Sequence, residues 1–262
     1  MSLTQSPGPL AGHPGNTNFA IEGPKHRLLA TPLPRRVRGE LGGEVVIDTE
    51  GAFLLHETGL KPQLYVPLRD VRAEALTRTD HTTHCPFKGD ASYRSVAAGD
   101  RVAENALWVY DEPLEAASWL DGYAGVYLDR LDRWRDEDDV VTAFPDPYHR
   151  VDVRRTSRRV EVRARGELVA TSTRALVLSE TALANRLYLP REDVAAELRG
   201  PTATTTFCAY KGTASYWTLV LADGTELADA AWSYEDPFPE SAPVAGLVSF
   251  WGDDVEVCAT SA

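Results

Sequence analysis

The sequence has few cysteines, no long apolar run and a shortage of positive charge, and each shortage argues against a class of protein. Its three cysteines, Cys85, Cys208 and Cys258, include no CxxC pair, which argues against a disulfide framework and a structural zinc site. Without a run of about 18 apolar residues, no transmembrane helix is predicted. The net charge of −12 at pH 7 disfavours a nucleic-acid partner, because phosphate binding normally requires a basic surface.

Residues 1–23 lack the features of a secretory signal, namely a positively charged start followed by an apolar stretch. They are rich in glycine, proline, serine, threonine and asparagine, which predicts a flexible leader. Because the cysteines form no even set, we expect a cytoplasmic protein whose thiols stay reduced. Neither a membrane nor a nucleic acid is expected as a partner, and the sequence leaves the oligomeric state open.

What the sequence does contain is an internal repeat. The segment THCPFKGDASY at 83–93 shares seven of its eleven residues with TFCAYKGTASY at 206–216. The same shift of 123 positions aligns LYVPLRDV at 64–71 with LYLPREDV at 187–194. Outside these segments, further equivalent positions are His26 with His149, Gly43 with Gly166, and, at a shift of 124, Trp108 with Trp232 and Tyr110 with Tyr234.

Two copies of about 110 residues each are long enough to form two complete domains. We therefore expect a flexible leader over 1–23, a first domain over 24–135, a linker over 136–146 and a second domain over 147–262. Within each copy, valine, leucine, tyrosine, tryptophan and threonine recur with a period of two, and helical periodicity is weak. This pattern predicts mainly β domains with little helix, each a small sheet sandwich or a partly closed barrel.

Lysine is scarce in this chain, which has only four lysines against 23 arginines. Two of the four, Lys88 and Lys211, stand at equivalent positions in the two copies. A lysine is a compact charge whose pKa shifts readily on burial, so arginine cannot replace it in a tight pocket. Gly89 and Gly212 follow directly, and a glycine within a strand pattern indicates a bulge or a close backbone approach.

Other polar and aromatic residues recur beside these lysines. Glu57 and Glu180 end apolar strands, where each carboxylate could pair with the lysine or act as a general base. Cys85 and Cys208 are either reactive thiols beside a cation or small buried residues. We expect one ligand-binding concavity in each domain. It is formed by Glu57, Tyr65, Cys85, Lys88, Tyr93, Trp108 and Tyr110 in the first copy and by Glu180, Tyr188, Cys208, Lys211, Tyr216, Trp232 and Tyr234 in the second.

Histidines distinguish the first copy from the second. His56, His81 and His84, with Cys85, are residue types that bind transition metals, whereas the second copy has Ser179, Thr204 and Phe207 at the histidine positions. Their spacing matches no specific metal motif, and histidines are common in exposed loops. We therefore predict no metal and no other cofactor, and keep this cluster as an alternative.

Three motifs together resemble a known family. The patterns YxPxxDV, CPxKGxASY and WxYxxP look like the bacterial family called domain of unknown function 427, and DPYHRVDV at 146–153 is similar to the start of a second copy in its two-domain members. The resemblance covers about 24–256 and implies an all-β fold like the tent-like sheets of the Mss4-like group. Zinc-binding members of that group use paired CxxC motifs, which this chain lacks. It also has Phe87 where the family has tyrosine, and Ala209 where the family has proline.

The resemblance implies a fold rather than an activity. A nucleotidyltransferase label is sometimes attached to the family, but the sequence has neither a Gly-Ser followed by paired aspartates nor a GxxxxGK[ST] loop. The favoured interpretation is a protein that binds a small anionic or carbonyl-bearing ligand in each domain. One alternative is a transferase-like enzyme in which lysine or cysteine performs covalent or acid–base chemistry. The other is a structural motif without a ligand.

Overall fold

The structure, a computed structural model, describes Leu10, Asn16, Asn18 and residues 22–260, so nearly all of the expected leader lies outside the described residues. The chain forms two compact units that divide between Tyr148 and His149, called here the first and second domains. Over the described residues each domain is built from antiparallel strands and short 3-10 helices, which confirms the mainly β prediction. No helix in this part of the chain is long and apolar enough to cross a membrane.

The first domain contains eleven strands and four 3-10 helices within its described residues. The strands are β1 (Leu28–Pro32), β2 (Val37–Leu41), β3 (Glu44–Thr49), β4 (Phe53–Glu57), β5 (Gln63–Pro67), β6 (Leu76–Cys85), β7 (Gly89–Ala98), β8 (Arg101–Val109), β9 (Tyr123–Val126), β10 (Arg133–Asp136) and β11 (Asp139–Val141). The 3-10 helices span Leu68–Asp70, Ala73–Ala75, Glu115–Leu120 and Leu128–Arg130. β11, which pairs with β10, lies within the segment 136–146.

The described part of the second domain also has eleven strands, with two 3-10 helices. The strands are β12 (Val151–Arg155), β13 (Arg159–Ala164), β14 (Glu167–Ser172), β15 (Leu176–Glu180), β16 (Arg186–Tyr188), β17 (Glu197–Arg199), β18 (Thr205–Cys208), β19 (Gly212–Val220), β20 (Glu226–Tyr234), β21 (Val248–Phe250) and β22 (Val255–Thr260). The helices span Arg191–Asp193 and Pro239–Val244. The turns at Arg165-Gly166 and Asp223-Gly224 join hairpins.

The first domain packs a large sheet on a small one. The large sheet has the order β1-β4-β5-β9-β8-β7-β6, and the small sheet has the order β11-β10-β2-β3. Side chains alternate between the two faces of a strand, so Leu54 and Leu64 lie in the core cluster shared with the small sheet, whereas Leu55 and Tyr65 lie on the other face. At β4 both faces of the large sheet are therefore covered, which explains why every residue of this strand is buried.

The second domain repeats this arrangement, although some of its strands, such as β16 and β21, are shorter. The strands that correspond to the large sheet are divided between two sheets, with the orders β12-β15-β16 and β17-β19-β20-β21. These two sheets are connected by a bridge, in which Leu189 and Val248 exchange backbone hydrogen bonds of 2.8 and 2.9 Å. The small sheet has the order β14-β13-β22. None of the sheets of the described residues closes into a complete barrel.

The large sheet of the first domain is strongly curled. Lys88 follows β6 and precedes β7, and β7 is four strand positions away from β4, which ends at Glu57. At about 4.8 Å per strand, a flat sheet would separate these positions by roughly 19 Å, far more than a lysine side chain can span. The Lys88 ammonium nevertheless contacts the Glu57 carboxylate. The curl therefore brings opposite parts of the sheet together around one site.

Candidate functional site

A buried lysine–glutamate pair lies at the centre of each domain. The Lys88 Nζ donates a hydrogen bond to Glu57 Oε1, and the Lys211 Nζ donates one to Glu180 Oε2. The exposed fraction of these four side chains is between 5% and 10%. The two pairs have the same partners in the same positions of the fold, so both domains contain the lysine–glutamate arrangement that the sequence predicts.

The turn before each glycine positions the lysine. In the first domain the Lys88 N–H donates to the Cys85 carbonyl at 3.3 Å, and its carbonyl accepts from Leu114 N–H at 3.0 Å. Gly89 has a φ of +104°, and a Cβ atom there would lie 3.3 Å from the Glu112 carbonyl oxygen. Gly212 has a φ of +92° and a similarly close backbone neighbour. Only glycine adopts such a backbone readily, so the close approach predicted at these positions is present.

A histidine completes the polar cluster of each domain. His26 Nε2 lies 3.2 Å from Glu57 Oε2, and His149 Nε2 lies 2.9 Å from Glu180 Oε1. Because an ionised carboxylate only accepts hydrogen bonds, each histidine is the donor. Each ring also stacks on the residue before the lysine, at centroid distances of 3.7 Å for Phe87 and 3.8 Å for Tyr210.

The histidines are absent from the predicted site, although the repeat contains the signal that identifies them. His26 and His149 stand at equivalent positions 123 residues apart, like the glutamates and lysines. They lie close to strands β1 and β12, which pair with β4 and β15, so the histidines are next to the glutamates in space and 31 residues away in sequence.

Hydrogen bonds keep the Glu180 carboxyl ionised. Burial by itself would raise the pKa of Glu180, but the hydrogen bonds from His149 and Lys211 outweigh it and hold the pKa below its usual value. The Lys211 and Glu180 charges therefore compensate each other within the second domain, and the pair contributes no net charge to its surroundings.

Aromatic residues line the site next to each pair. Trp108 Nε1 donates to the Tyr65 hydroxyl at 3.0 Å, and Trp232 Nε1 donates to the Tyr188 hydroxyl at 3.1 Å. Burial raises the pKa of each of these two tyrosines well above its ordinary value, and it does the same to Tyr110 and Tyr234. These hydroxyls therefore remain protonated donors at physiological pH.

The remaining predicted residues occupy the margin of each site. The Tyr93 hydroxyl lies 3.1 Å from Thr83 Oγ1, and the Tyr216 hydroxyl lies 2.9 Å from Thr206 Oγ1. Cys85 and Cys208 are half-buried free cysteines at the ends of β6 and β18, where their carbonyls accept the lysine N–H groups. Their backbones therefore shape the lysine turns.

The structure does not bring the first-copy histidines together. His56 is buried on β4, where its Nδ1 lies 4.0 Å from Asp146 Oδ1. His84 is exposed and hydrogen-bonds Asp90 at 2.6 Å, while the His81 ring packs on Tyr93. Within residues 22–260, no group of three or more His, Cys, Asp or Glu side chains is arranged to hold a metal ion.

The second domain contains a cavity of about 290 Å³ beside its lysine–glutamate pair. Six of the seven residues predicted for this domain line it, and Cys208 does not. The lining residues are Leu178, Glu180, Leu183, Ala184, Arg186, Tyr188, Lys211, Tyr216, Trp232, Tyr234 and Trp251. Most of this wall is aromatic or aliphatic, with the polar groups concentrated at the ion pair and at Arg186.

In the first domain, aromatic side chains pack against one another in the corresponding place. Phe53 stacks parallel to Tyr65 at a centroid distance of 5.3 Å and contacts Tyr123 edge-on at 4.9 Å. The equivalent residues of Phe53 and Tyr123 in the second domain are the smaller Leu176 and Leu247. Nine buried hydrophobic residues form this cluster in the first domain, and only five form its counterpart. More and larger side chains are therefore packed beside the pair in the first domain than in the second.

A tyrosine covers the first-domain site. The Tyr127 ring lies against Trp108 at a centroid distance of 4.7 Å. Its equivalent in the second domain is Trp251, which is 55% exposed and forms a wall of the cavity. Trp108 and Tyr93 are consequently buried, whereas their equivalents in the second domain are only half-buried.

Comparison with known proteins agrees with this duplicated architecture. No curated protein matches the chain. The family model described as Domain of unknown function (DUF427) matches residues 29–137 and 152–261, that is, one match in each domain. The two matches together cover most of the 262 residues. The chain therefore belongs to the DUF427 family, and it contains two copies of the family's domain.

Proposed function

We propose that this protein binds a small molecule in the cavity of its second domain. The observation that carries the proposal is the lining of that cavity, which includes Glu180, Tyr188, Lys211, Tyr216, Trp232 and Tyr234. Sites for small ligands are concave and mostly apolar, with a few polar groups that fix the ligand's orientation. A volume of about 290 Å³ is at the lower end of the range for such sites, so the ligand is small.

The polar groups of the cavity suit a ligand that carries a carbonyl or an anionic oxygen. A lysine ammonium has three N–H donors, and only one of them is needed for the bond to Glu180. The protonated Tyr234 hydroxyl supplies a further donor, and the aromatic rings supply an apolar wall. Because the lysine donates to Glu180, whose other oxygen is bound by His149, the orientation of the ammonium is restrained.

The proposal concerns the second domain alone, and it replaces the sequence-based expectation of an equivalent pocket in each domain. The Phe53, Tyr123 and Tyr127 rings occupy the corresponding place in the first domain. There the lysine, glutamate and histidine act as a buried polar anchor for the curled sheet. Binding is favoured over covalent catalysis because an ammonium held in an ion pair has no lone pair free for nucleophilic attack.

A cavity-filling variant tests the proposal. Ala184 lines the cavity mouth and is exposed, so Ala184→Trp should block the cavity without disturbing the core. Its matched control is Lys61→Trp, at the equivalent exposed position of the first domain. A library of neutral, cationic and anionic small compounds is screened by ligand-observed NMR against the full chain. We expect compounds that bind the parent protein and K61W but lose binding to A184W.

Two outcomes would contradict the proposal. One is that no compound of any charge binds the parent protein, since a formed cavity of this size should accept at least weak ligands. The other is that every compound that binds does so equally to A184W, which would place all binding outside the cavity.

A further inference from the structure

Arg186 is the residue that distinguishes the chemistry of the second-domain cavity. It lies at the start of β16 and lines the cavity, with its guanidinium carbon 5.6 Å from the centroid of the Trp232 ring. The lysine pattern in the sequence predicts the site, but it does not include this arginine, because the first copy has Gln63 at the equivalent position. The arginine therefore does not belong to the arrangement shared by both domains.

The charge of the cavity wall is determined by Arg186. Lys211 is paired with Glu180, so these two charges cancel. Among the described residues, no carboxylate lies within ion-pair distance of Arg186, whereas most other arginines of the second domain do have such partners, for example Arg174 with Asp193 and Arg191 with Glu235. The cavity thus has one uncompensated positive charge at its wall.

Arg186 also stands at the junction of two cavities. A second cavity of about 410 Å³ adjoins the first and shares Arg186 and Trp251 with it. Asp253 lines this outer cavity, which makes it unfavourable for an anion. A negative group of a ligand is therefore best placed at Arg186 itself, with the rest of the ligand in the inner cavity.

The shape of the inner wall limits the rest of the ligand. Trp232, Trp251, Tyr188, Tyr216 and Tyr234 contribute aromatic rings to it. Aromatic rings pack favourably on other rings in offset or edge-on arrangements. A planar guanidinium next to a tryptophan ring is in a suitable position to bind a carboxylate with two parallel N–H···O bonds, and it does so with less loss of freedom than a lysine.

We propose that the ligand of this site is a small aromatic carboxylate, whose ring packs within the inner cavity and whose carboxylate pairs with Arg186. This inference rests on the proposed function, because it assigns a ligand class to the same cavity. It changes the role expected for the lysine: Lys211 and Glu180 fix the geometry of the wall and offer hydrogen bonds, and Arg186 supplies the charge that selects an anion.

The test compares 2-naphthoate with its neutral analogue 2-naphthamide, by isothermal titration calorimetry of the full chain. The parent protein should bind the carboxylate more tightly than the amide. Arg186→Gln, which introduces the residue of the first domain, should weaken naphthoate binding about tenfold or more, since hydrogen bonds to charged groups are the strong ones. Naphthamide affinity should change little, so the preference for the anion should disappear.

Arg158→Gln is the matched control. Arg158 is an exposed arginine of the same domain whose side chain bonds only Thr156 in the described structure, so this variant removes the same charge away from the cavity. It should leave both affinities unchanged. Naphthoate binding should also weaken with added salt in the parent protein and less so in R186Q.

Failure of this inference is distinguishable from failure of the proposed function. If naphthamide binds as tightly as naphthoate, or if R186Q and R158Q behave alike, the anion assignment is wrong while the cavity remains a binding site. If neither probe binds but other compounds lose binding to A184W, the ligand class is wrong. If no compound depends on A184W, the proposed function fails as well.

Discussion

At the scale of single residues, recurrence in the two copies identifies the site better than residue type does. Lys88 and Lys211 are predicted from their scarcity and register, and they are found buried against Glu57 and Glu180. Arg186 escapes the same reasoning because it occurs in one copy only. Comparison of the two copies therefore identifies the residues that stabilise the fold of both domains. It misses a residue such as Arg186, which occurs in one domain only.

The first residue-scale prediction concerns the ion pair of the first domain. Lys88→Met removes the positive charge next to the buried Glu57 carboxylate and should destabilise the first domain by about 3–5 kcal/mol, as is typical when one partner of a buried pair is removed. Hydrogen exchange of peptides from residues 22–148 in the full chain measures this loss, because it follows the first domain separately.

Two further variants control this prediction. The double variant Glu57→Gln, Lys88→Met also removes the buried negative charge and should recover part of the stability. Arg36→Met breaks the exposed pair with Asp48 and should have a far smaller effect. If K88M is no worse than R36M, the pair does not stabilise the first domain.

A second residue-scale prediction concerns the pH dependence of the first domain. His56 is 2% exposed, and its Nε2 has no hydrogen-bond partner among the described residues. Burial lowers the pKa of His56 below its ordinary value of about 6.5, although Asp146 opposes the effect. The unfolded chain therefore binds a proton more readily, so His56 should make the first domain less stable as the pH falls below about 6.5.

Thermal unfolding at pH 5.5 and 7.5 checks this dependence. The drop in Tm between the two pH values should be smaller in His56→Gln than in the parent protein, because glutamine does not titrate. His84→Gln also removes one histidine, but from an exposed position, and it should keep the drop of the parent protein. An equal drop in H56Q and the parent protein would contradict the assignment.

At the scale of strands, one pair of equivalent positions helps to explain why the two sites are packed differently. These positions are Gly125 on β9 and Ser249 on β21. Trp108 pairs across the sheet with Gly125, and Trp232 pairs with Ser249. A Cβ atom at Gly125 would overlap the Trp108 ring, so this ring lies directly on the backbone of β9. Because Ser249 has a Cβ atom, Trp232 cannot lie equally close to β21.

The strand pattern of the sequence predicts the β structure but not this difference. Alternation and the hairpin glycines identify most strands, since those depend on neighbouring residues. The contact of Trp108 with Gly125 depends on the register of two strands that are brought together by the fold. No local sequence pattern predicts a contact between residues of two such strands.

The element-scale prediction is that Gly125→Ser loosens the first domain. The added side chain must displace the Trp108 ring from β9, and overpacking of this kind typically costs about 1–3 kcal/mol. Urea denaturation of the full chain measures the loss. The reciprocal variant Ser249→Gly should not produce such a clash in the second domain, so a loss in S249G as large as that in G125S would argue against the packing explanation.

At the scale of the whole molecule, the duplication predicted from the repeat is present as two domains of one family, and the sequence suffices for that conclusion. It does not suffice to show that the two copies differ in the packing beside their lysine–glutamate pairs. The copies share the lysine, glutamate and histidine that hold the curled sheet, while the volume next to them is filled by Phe53, Tyr123 and Tyr127 in the first domain only. Under the proposed function, the second copy would bind the ligand and the first copy would have a structural role.

The whole-molecule prediction is a stoichiometry of one ligand per chain. Two equivalent copies would give two sites, but aromatic rings pack together in the first-domain site, so we expect 2-naphthoate to bind in the second-domain cavity alone. Calorimetric titration of the full chain should therefore give one binding site in the parent protein and one in K61W. It should give no binding site in A184W. The triple variant Phe53→Leu, Tyr123→Leu, Tyr127→Ala removes all three rings that pack there and should add a second, weaker site. That site should lack anion preference, because Gln63 stands there in place of the arginine. Two sites of similar affinity in the parent protein would show that the first-domain rings move aside to admit a ligand, and the division of roles between the copies would be wrong.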